Sequence, residues 1–235
     1  MQDFAEAFRL AFALIAGADA DLLEIVSLSL RVSFTAVAFA CLIGLPVGAV
    51  LAIARFPGRW GFVVLLNAMM GLPPVVIGLL VYMALSNAGP MGFLQLLYTP
   101  GAMVIAQTIL ISPIIAALAR QTIEDLNAEY SEQFLSLSVP WFRAAAALVW
   151  DGRFSLVTVA LAGFGRAIAE VGAVIIVGGN IAHLTRVMTT AIALETSKGD
   201  LALALALGII LLAIALGVNA AVMMLRERTL RVAHA

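Results

Sequence analysis

Between Trp60 and Ala119 the chain carries no formally charged side chain. A membrane crossing takes about 20 predominantly apolar residues, so this run is long enough for two crossings. The turn signals Ser86-Asn87-Ala88-Gly89-Pro90 and Tyr98-Thr99-Pro100-Gly101 supply the break between them. Hydrophobic residues make up 63% of the 235-residue chain and charged residues 11%, where soluble domains carry about 25% charged. The chain is therefore expected to fold as an all-α membrane protein.

That length leaves room for one membrane domain and little else. A net charge of -1 argues against a nucleic-acid partner. The lone cysteine, Cys41, sits in an apolar run and reads as a small packed hydrophobe, which excludes a disulfide within the chain. Residues 1–24 form an extracytoplasmic amphipathic segment in this reading. Its start, Met1-Gln2-Asp3-Phe4-Ala5-Glu6, lacks the basic flank of a secretory signal. Phe4, Phe8 and Phe12 recur every four residues, so the segment is either a helix with its aromatic face on the headgroups or an ordinary packed helix.

Five spans are predicted, near Ile25–Ala54, Gly61–Leu85, Gly101–Ala119, Phe154–Val177 and Leu201–Leu225. Under this assignment Arg55, Arg59, Arg120, Arg143, Arg153, Arg226, Arg228 and Arg231 share one side. Arg9, Arg31, Arg186 and Lys198 fall on the other. The positive-inside rule then puts the N-terminus outside, and residues 226–235 form a basic tail in the cytoplasm.

The spans carry three marks. Gly44-Leu45-Pro46-Val47-Gly48 is a small-xxx-small pattern suited to close helix packing, with Pro46 bending the helix. Gly71-Leu72-Pro73-Pro74 falls midway along the second span, where adjacent prolines remove backbone donors. In lipid this is tolerated only against protein or a water-filled path, so the site is a pore-lining kink or a structural bend. In the fourth span, Gly165-Arg166-Ala167-Ile168-Ala169-Glu170-Val171-Gly172 places two charges four apart. A charge at mid-helix costs about 2.5–3.5 kcal/mol on insertion scales, so both need partners, and i,i+4 spacing lets them pair. They act either as a polar element beside a translocation path or as a brace within the bundle.

The charged stretch Arg120–Arg153 mixes acidic residues with Phe134, Trp141 and Phe142. This suits a short cytoplasmic helix presented to a partner, or one resting on the membrane surface. His183, in a predicted outer loop, reads as a surface histidine, and no metal site is expected.

Taken together the pattern resembles the membrane permease subunit of binding-protein-dependent ABC importers, the type I importer fold. That family's cytoplasmic loop carries a Glu-Ala-Ala motif and then a glycine. Here Glu132 occupies the leading position, Gln133 and Phe134 replace the alanines, and Ser138 stands in place of the glycine. Closer is the run from Gly165 through Gly178-Gly179-Asn180-Ile181 to Thr185-Arg186-Val187-Met188-Thr189-Thr190, together with Leu72-Pro73-Pro74-Val75-Val76-Ile77-Gly78. Both are similar to the oxyanion branch, and the Val-Gly-Gly-Asn wording points to its tungstate type, with molybdate or sulfate as other substrates.

The resemblance implies that residues 25–225 are the importer's transmembrane domain in the plasma membrane, used as a homodimer. Two ATPase subunits would grip the helix bearing Glu132, Phe134, Ser138, Val139, Pro140, Trp141 and Arg143. An extracytoplasmic oxyanion-binding protein would meet Gly179, Asn180, Thr185 and Arg186. Gly71, Pro73, Pro74, Gly165, Arg166, Glu170 and Gly172 would border the path. The only lysine is Lys198 and no phosphate-cradling Gly-rich loop is present, so ATP and Mg belong to the partner ATPase. The competing class is a secondary transporter or channel using the Arg166–Glu170 pair as a relay. An intramembrane enzyme is disfavoured, since the chain has no His-Glu-x-x-His or Gly-x-Ser-x-Gly pattern.

Overall fold

Proline and left-handed residues decide where the helices stop. The computed structural model describes residues 4–17 and 19–233 and, among these, contains ten α-helices and no strand. They are α1 (Phe4–Ala16), α2 (Ala20–Ile53), α3 (Arg59–Met69), α4 (Pro74–Leu85), α5 (Pro100–Ser136), α6 (Trp141–Asp151), α7 (Arg153–Ile168), α8 (Gly172–Gly178), α9 (Met188–Lys198) and α10 (Leu201–Ala233). A short 3₁₀ turn at Gly92–Leu94 lies between α4 and α5. Pro74 and Pro100 each sit at a first helical position, where the missing N–H costs nothing.

Three helices, α2, α5 and α10, are individually long and apolar enough to cross a membrane. Five crossings result if the bent pairs α3 with α4 and α6 with α7 each count as one. The second expected span is therefore not a kinked helix but two helices, because Pro73 caps and Pro74 starts a new one. The fourth differs too: α7 ends at Ile168, and α8 restarts at Gly172 after a non-helical turn. The third runs far past its expected end, since α5 continues to Ser136 through charged residues expected to form a short helix of their own. Residues 226–233 extend α10 rather than forming a separate tail, while His234 lies outside the described residues, as do Met1 to Asp3.

The chain divides into two compact units. The first takes the residues up to Ala36, Pro73–Gln107 and Gly165–Val218. Here α4 packs on α8 so closely that a Cβ on Gly78 would lie 2.8 Å from the Cα of Ala173. Gly178 abuts Met103 and Thr185, and the Tyr98 N–H donates to the Val177 carbonyl at 3.0 Å. On α1, Ala7 and Ala11 are buried, Phe8 is half-buried and Phe12 is exposed, so its small face packs and Phe12 is left outward.

The second unit takes Val37–Leu72, Thr108–Phe164 and the residues from 219 on. The C-terminal half of α2 packs on α5: Gly44 meets Ser112 and Ile115, and Gly48 meets Ala116, Ala119 and Arg120. Ala49, Ala52, Ala119, Ile123, Leu148 and Leu156 make its core. In both units alanine and glycine recur in the interior beside Met103, Ile115 and Leu148, while Leu42, Trp60, Phe93 and Leu212 stand exposed. That inversion of the soluble pattern suits a chain whose outer solvent is lipid.

Candidate functional site

The break between α7 and α8 is built around Glu170. One carboxylate oxygen accepts the Ala173 N–H at 3.1 Å, capping the start of α8, and the other pairs with Arg166 one turn back on α7. The Thr189 hydroxyl donates to the Glu170 carbonyl at 2.8 Å. Glu170 keeps only 4% of its side-chain exposure while Arg166 keeps 36%. The expected pairing therefore forms, but across a helix end rather than along one helical face. With its charge neutralised by Arg166 and its backbone held by Thr189, Glu170 fixes the turn from which α8 restarts.

Further polar groups, which the sequence reading missed, gather beside it. Gln107 of α5 is buried and donates to the Ala167 carbonyl at 3.1 Å, and its side-chain oxygen finds no protein partner. Ser29, Ser33, Thr189 and Glu170 line the same cavity of about 10 Å³, room for roughly one water. The Ser29 hydroxyl also accepts the Met188 N–H at 2.8 Å. Their signal in the sequence was faint, since serine and threonine in a span can satisfy themselves on the preceding turn, as Ser29 does by donating to Ile25.

The structure also brings the two helix breaks together. A Cβ on Gly172, the first residue of α8, would sit 2.9 Å from the Val75 side chain in the first turn of α4. Gly71 and Pro73 lie in the turn before Pro74 and are exposed, while Gly165 has open space where a Cβ would stand. Of the expected path residues, Pro74, Arg166, Glu170 and Gly172 thus border regions of broken helix within one unit.

The segment from Glu132 to Arg143 is a helix–turn–helix rather than a single helix. Glu132 and Phe134 end α5, Ser138 and Val139 form the turn, Pro140 caps α6, and Trp141 and Arg143 lie in the first turn of α6. Ser138 adopts φ 49°, the left-handed region that glycine occupies without a Cβ penalty. Glycine at this point of the resembled motif thus has a backbone reason, and serine here bears its strain. Leu135, Leu137 and Trp141 project from the turn at 78%, 73% and 53% exposure, with Glu132 exposed beside them. Below it opens a groove of about 730 Å³ lined by Val50, Ile53, Phe56, Phe134 and Trp141. At the same end of this unit Glu124 pairs with both Arg120 and Arg59, and Arg59 Nε donates to the Leu51 carbonyl at 2.7 Å.

On the loop that follows α8, Gly179 and Asn180 both take positive φ. Thr185 is fully buried: its hydroxyl donates to the Gly178 carbonyl and accepts the Ile181 N–H. It braces the loop from within, so the expected contact with a second protein falls on a buried side chain. Gly179 is exposed, and Asn180 and Arg186 are half-buried.

His183 Nδ1 lies 2.8 Å from the Glu24 carboxylate. Together with Asp21 they are the one group of metal-capable side chains among the described residues, and all three are exposed. The Glu24 hydrogen bond, then the charges of Glu24 and Asp21, raise the His183 pKa above its ordinary 6.5. A raised folded-state value makes this tether fully present below pH 6.5 and lost as pH rises through the folded value. Amide exchange at residues 181–186, corrected for its intrinsic pH dependence, should accelerate across that upper window, and Glu24→Gln should flatten the profile.

No family model matches the chain. It is 39% identical over 227 residues to the tungstate uptake system permease protein TupB of Peptoclostridium acidaminophilum, covering 97% of this chain and 100% of that protein. It is also 39% identical over 213 residues to a probable anion ABC transporter permease protein of Haloferax volcanii, 88% of this chain and 92% of that one. The TupB protein of Campylobacter jejuni is 38% identical over 143 residues, 61% of this chain and 60% of that protein.

Proposed function

The chain belongs to the ABC transporter permease proteins of the tungstate-uptake type, and from that premise we propose how its geometry serves import. It is an integral protein of the plasma membrane that forms the translocation path for tungstate. The match along nearly the whole of both chains carries this reading. Residues 25–225 are its transmembrane domain, crossing five times with the N-terminus outside and residues 226–235 in the cytoplasm. Two copies pair to enclose the path. The neighbouring breaks at Gly71–Pro74 and Arg166–Gly172 border it, because non-helical backbone at membrane depth belongs where protein or water can satisfy it.

The neutralised Arg166–Glu170 pair gives the path no strong net charge, which suits an anion that must be released as well as admitted. Discrimination among tungstate, molybdate and sulfate then falls to an extracytoplasmic binding protein, received around Gly179, Asn180 and Arg186.

Energy comes from a separate ATPase that holds ATP and Mg. The turn from Glu132 to Arg143, with its projecting Leu135, Leu137 and Trp141, is the docking surface for that subunit. ATP binding shifts the complex between inward- and outward-facing states, a rigid-body change biased by contacts that differ in the two.

The test is uptake by proteoliposomes holding this chain with its ATPase and binding protein, read as vesicular tungsten. Wild type should accumulate tungstate only with ATP. Glu132→Arg should fall at least tenfold while inserting normally. Uptake by the chain alone without ATP would overturn the importer reading, and wild-type uptake by Glu132→Arg would overturn the docking assignment.

A further inference from the structure

The corner between α6 and α7 carries an exposed stripe that neither the path nor the ATPase-docking turn uses. On α6, Ala144 and Leu148 are buried, so that face holds the helix to the protein. Another face carries Ala146 and Trp150 at four-residue spacing, both exposed, Trp150 at 72%. The stripe continues onto α7 through Phe154 and Val157, both exposed. α7 meets α6 at 74°, so when α7 crosses the bilayer α6 lies close to its surface plane.

Arg153 stands at the bend. Its guanidinium carbon lies 4.9 Å from the Trp150 ring centre and 4.6 Å from that of Phe154. One of its N–H groups donates to the Trp150 carbonyl at 2.7 Å, which leaves most of its donors for another acceptor. Arg153 takes part in none of the ion pairs among the described residues.

We propose that this corner binds the headgroup of an anionic phospholipid, with Arg153 as the phosphate ligand and the Trp150–Phe154 stripe seated among the acyl chains. The proposal rests on α7 being membrane-crossing. Three features favour lipid as occupant. The apolar stripe is continuous with the exposed side of α7. Aromatic rings with a flanking arginine match the chemistry of the bilayer interface. The corner also lies about 15 Å along α6 from the turn at Pro140, which separates it from the proposed ATPase contact.

The experiment uses the full chain in nanodiscs of mixed phosphatidylglycerol and phosphatidylcholine. Native mass spectrometry of the released protein should show phosphatidylglycerol retained over phosphatidylcholine by roughly fivefold, the scale of one arginine at an anionic surface. Arg153→Gln should abolish that preference, Arg153→Lys should keep part of it, and millimolar inorganic phosphate should not displace the lipid. Equal retention of the two lipids by wild type, or undiminished preference in Arg153→Gln, would overturn the proposal. So would loss of the retained lipid when the ATPase subunits bind, which would assign the stripe to that protein. A variant keeping only Trp150 (Trp60→Phe, Trp141→Phe) separates the two levels. Quenching by brominated lipid without headgroup preference sinks the headgroup site alone, and no quenching removes the membrane placement of the corner beneath it.

Discussion

Arg166→Ala should reduce tungstate uptake at least tenfold and lower the melting temperature of the purified protein by several degrees. The substitution leaves Glu170, almost wholly buried, with the Ala173 amide and no cation. Breaking a buried pair costs about 3–5 kcal/mol when the remaining charge has no new partner. The half-exposed guanidinium places the effect at the lower end, about 3 kcal/mol. At about 2–4 °C per kcal/mol for a chain of this size, the expected shift is roughly 6–12 °C. Uptake should suffer more than stability, because a protonated or displaced Glu170 no longer caps α8 beside Val75 and Gly172. Arg166→Lys should recover part of both losses. Arg166→Ala with wild-type melting and wild-type uptake would show that the pair neither braces nor borders the path.

Gly48→Val should prevent stable assembly of the second unit. A Cβ there would fall 2.6 Å from the Ala116 carbonyl oxygen and 2.9 Å from the Arg120 nitrogen. Both are backbone atoms of α5, so no side-chain rotation relieves the clash and the two helices must separate. Overpacking of this kind costs about 1–3 kcal/mol where side chains can give, and more is expected against backbone. Gly61→Ala is the contrasting case. Gly61 lies within α3 with nothing within 4 Å of an added Cβ, so alanine there should stabilise by about 0.5–1 kcal/mol. Opposite shifts in melting temperature for the two variants are the expected result, and equal shifts would remove the α2–α5 contact as the cause.

The sequence showed most plainly what composition enforces. Apolar runs located α2, α5 and α10, and four-residue spacing identified the Arg166–Glu170 pair. The breaks were less legible, since adjacent prolines allow either a bent helix or a fresh start. Which one forms depends on packing between residues as distant as Val75 and Gly172. Charge density made residues 120–136 look like a short helix separate from the span, whereas they continue α5. They are helical because Arg120 and Glu124 pair one turn apart and Ile123 is fully buried in the second unit. Gln107, Ser33 and Thr189 escaped notice because isolated uncharged polar residues in a span carry no pattern until the fold gathers them. Thr185 is the converse case: a polar residue in a loop reads as surface, yet its side chain is folded under its own turn.

The cluster of Glu124 with Arg59 and Arg120 has one more consequence. From Pro100 to Ala119, α5 offers twenty uncharged residues, about 30 Å of rise and close to the thickness of a bilayer's hydrocarbon. The three charges begin where that length ends, so they act as a collar on the rod. For a membrane-crossing α5, sliding by one turn toward its Pro100 end, about 5.4 Å, would drag the collar into oil, whereas tilting leaves the collar wet. Such a helix resists a piston's motion more than a lever's, and its tilt should be sensitive to how thick a membrane it is given.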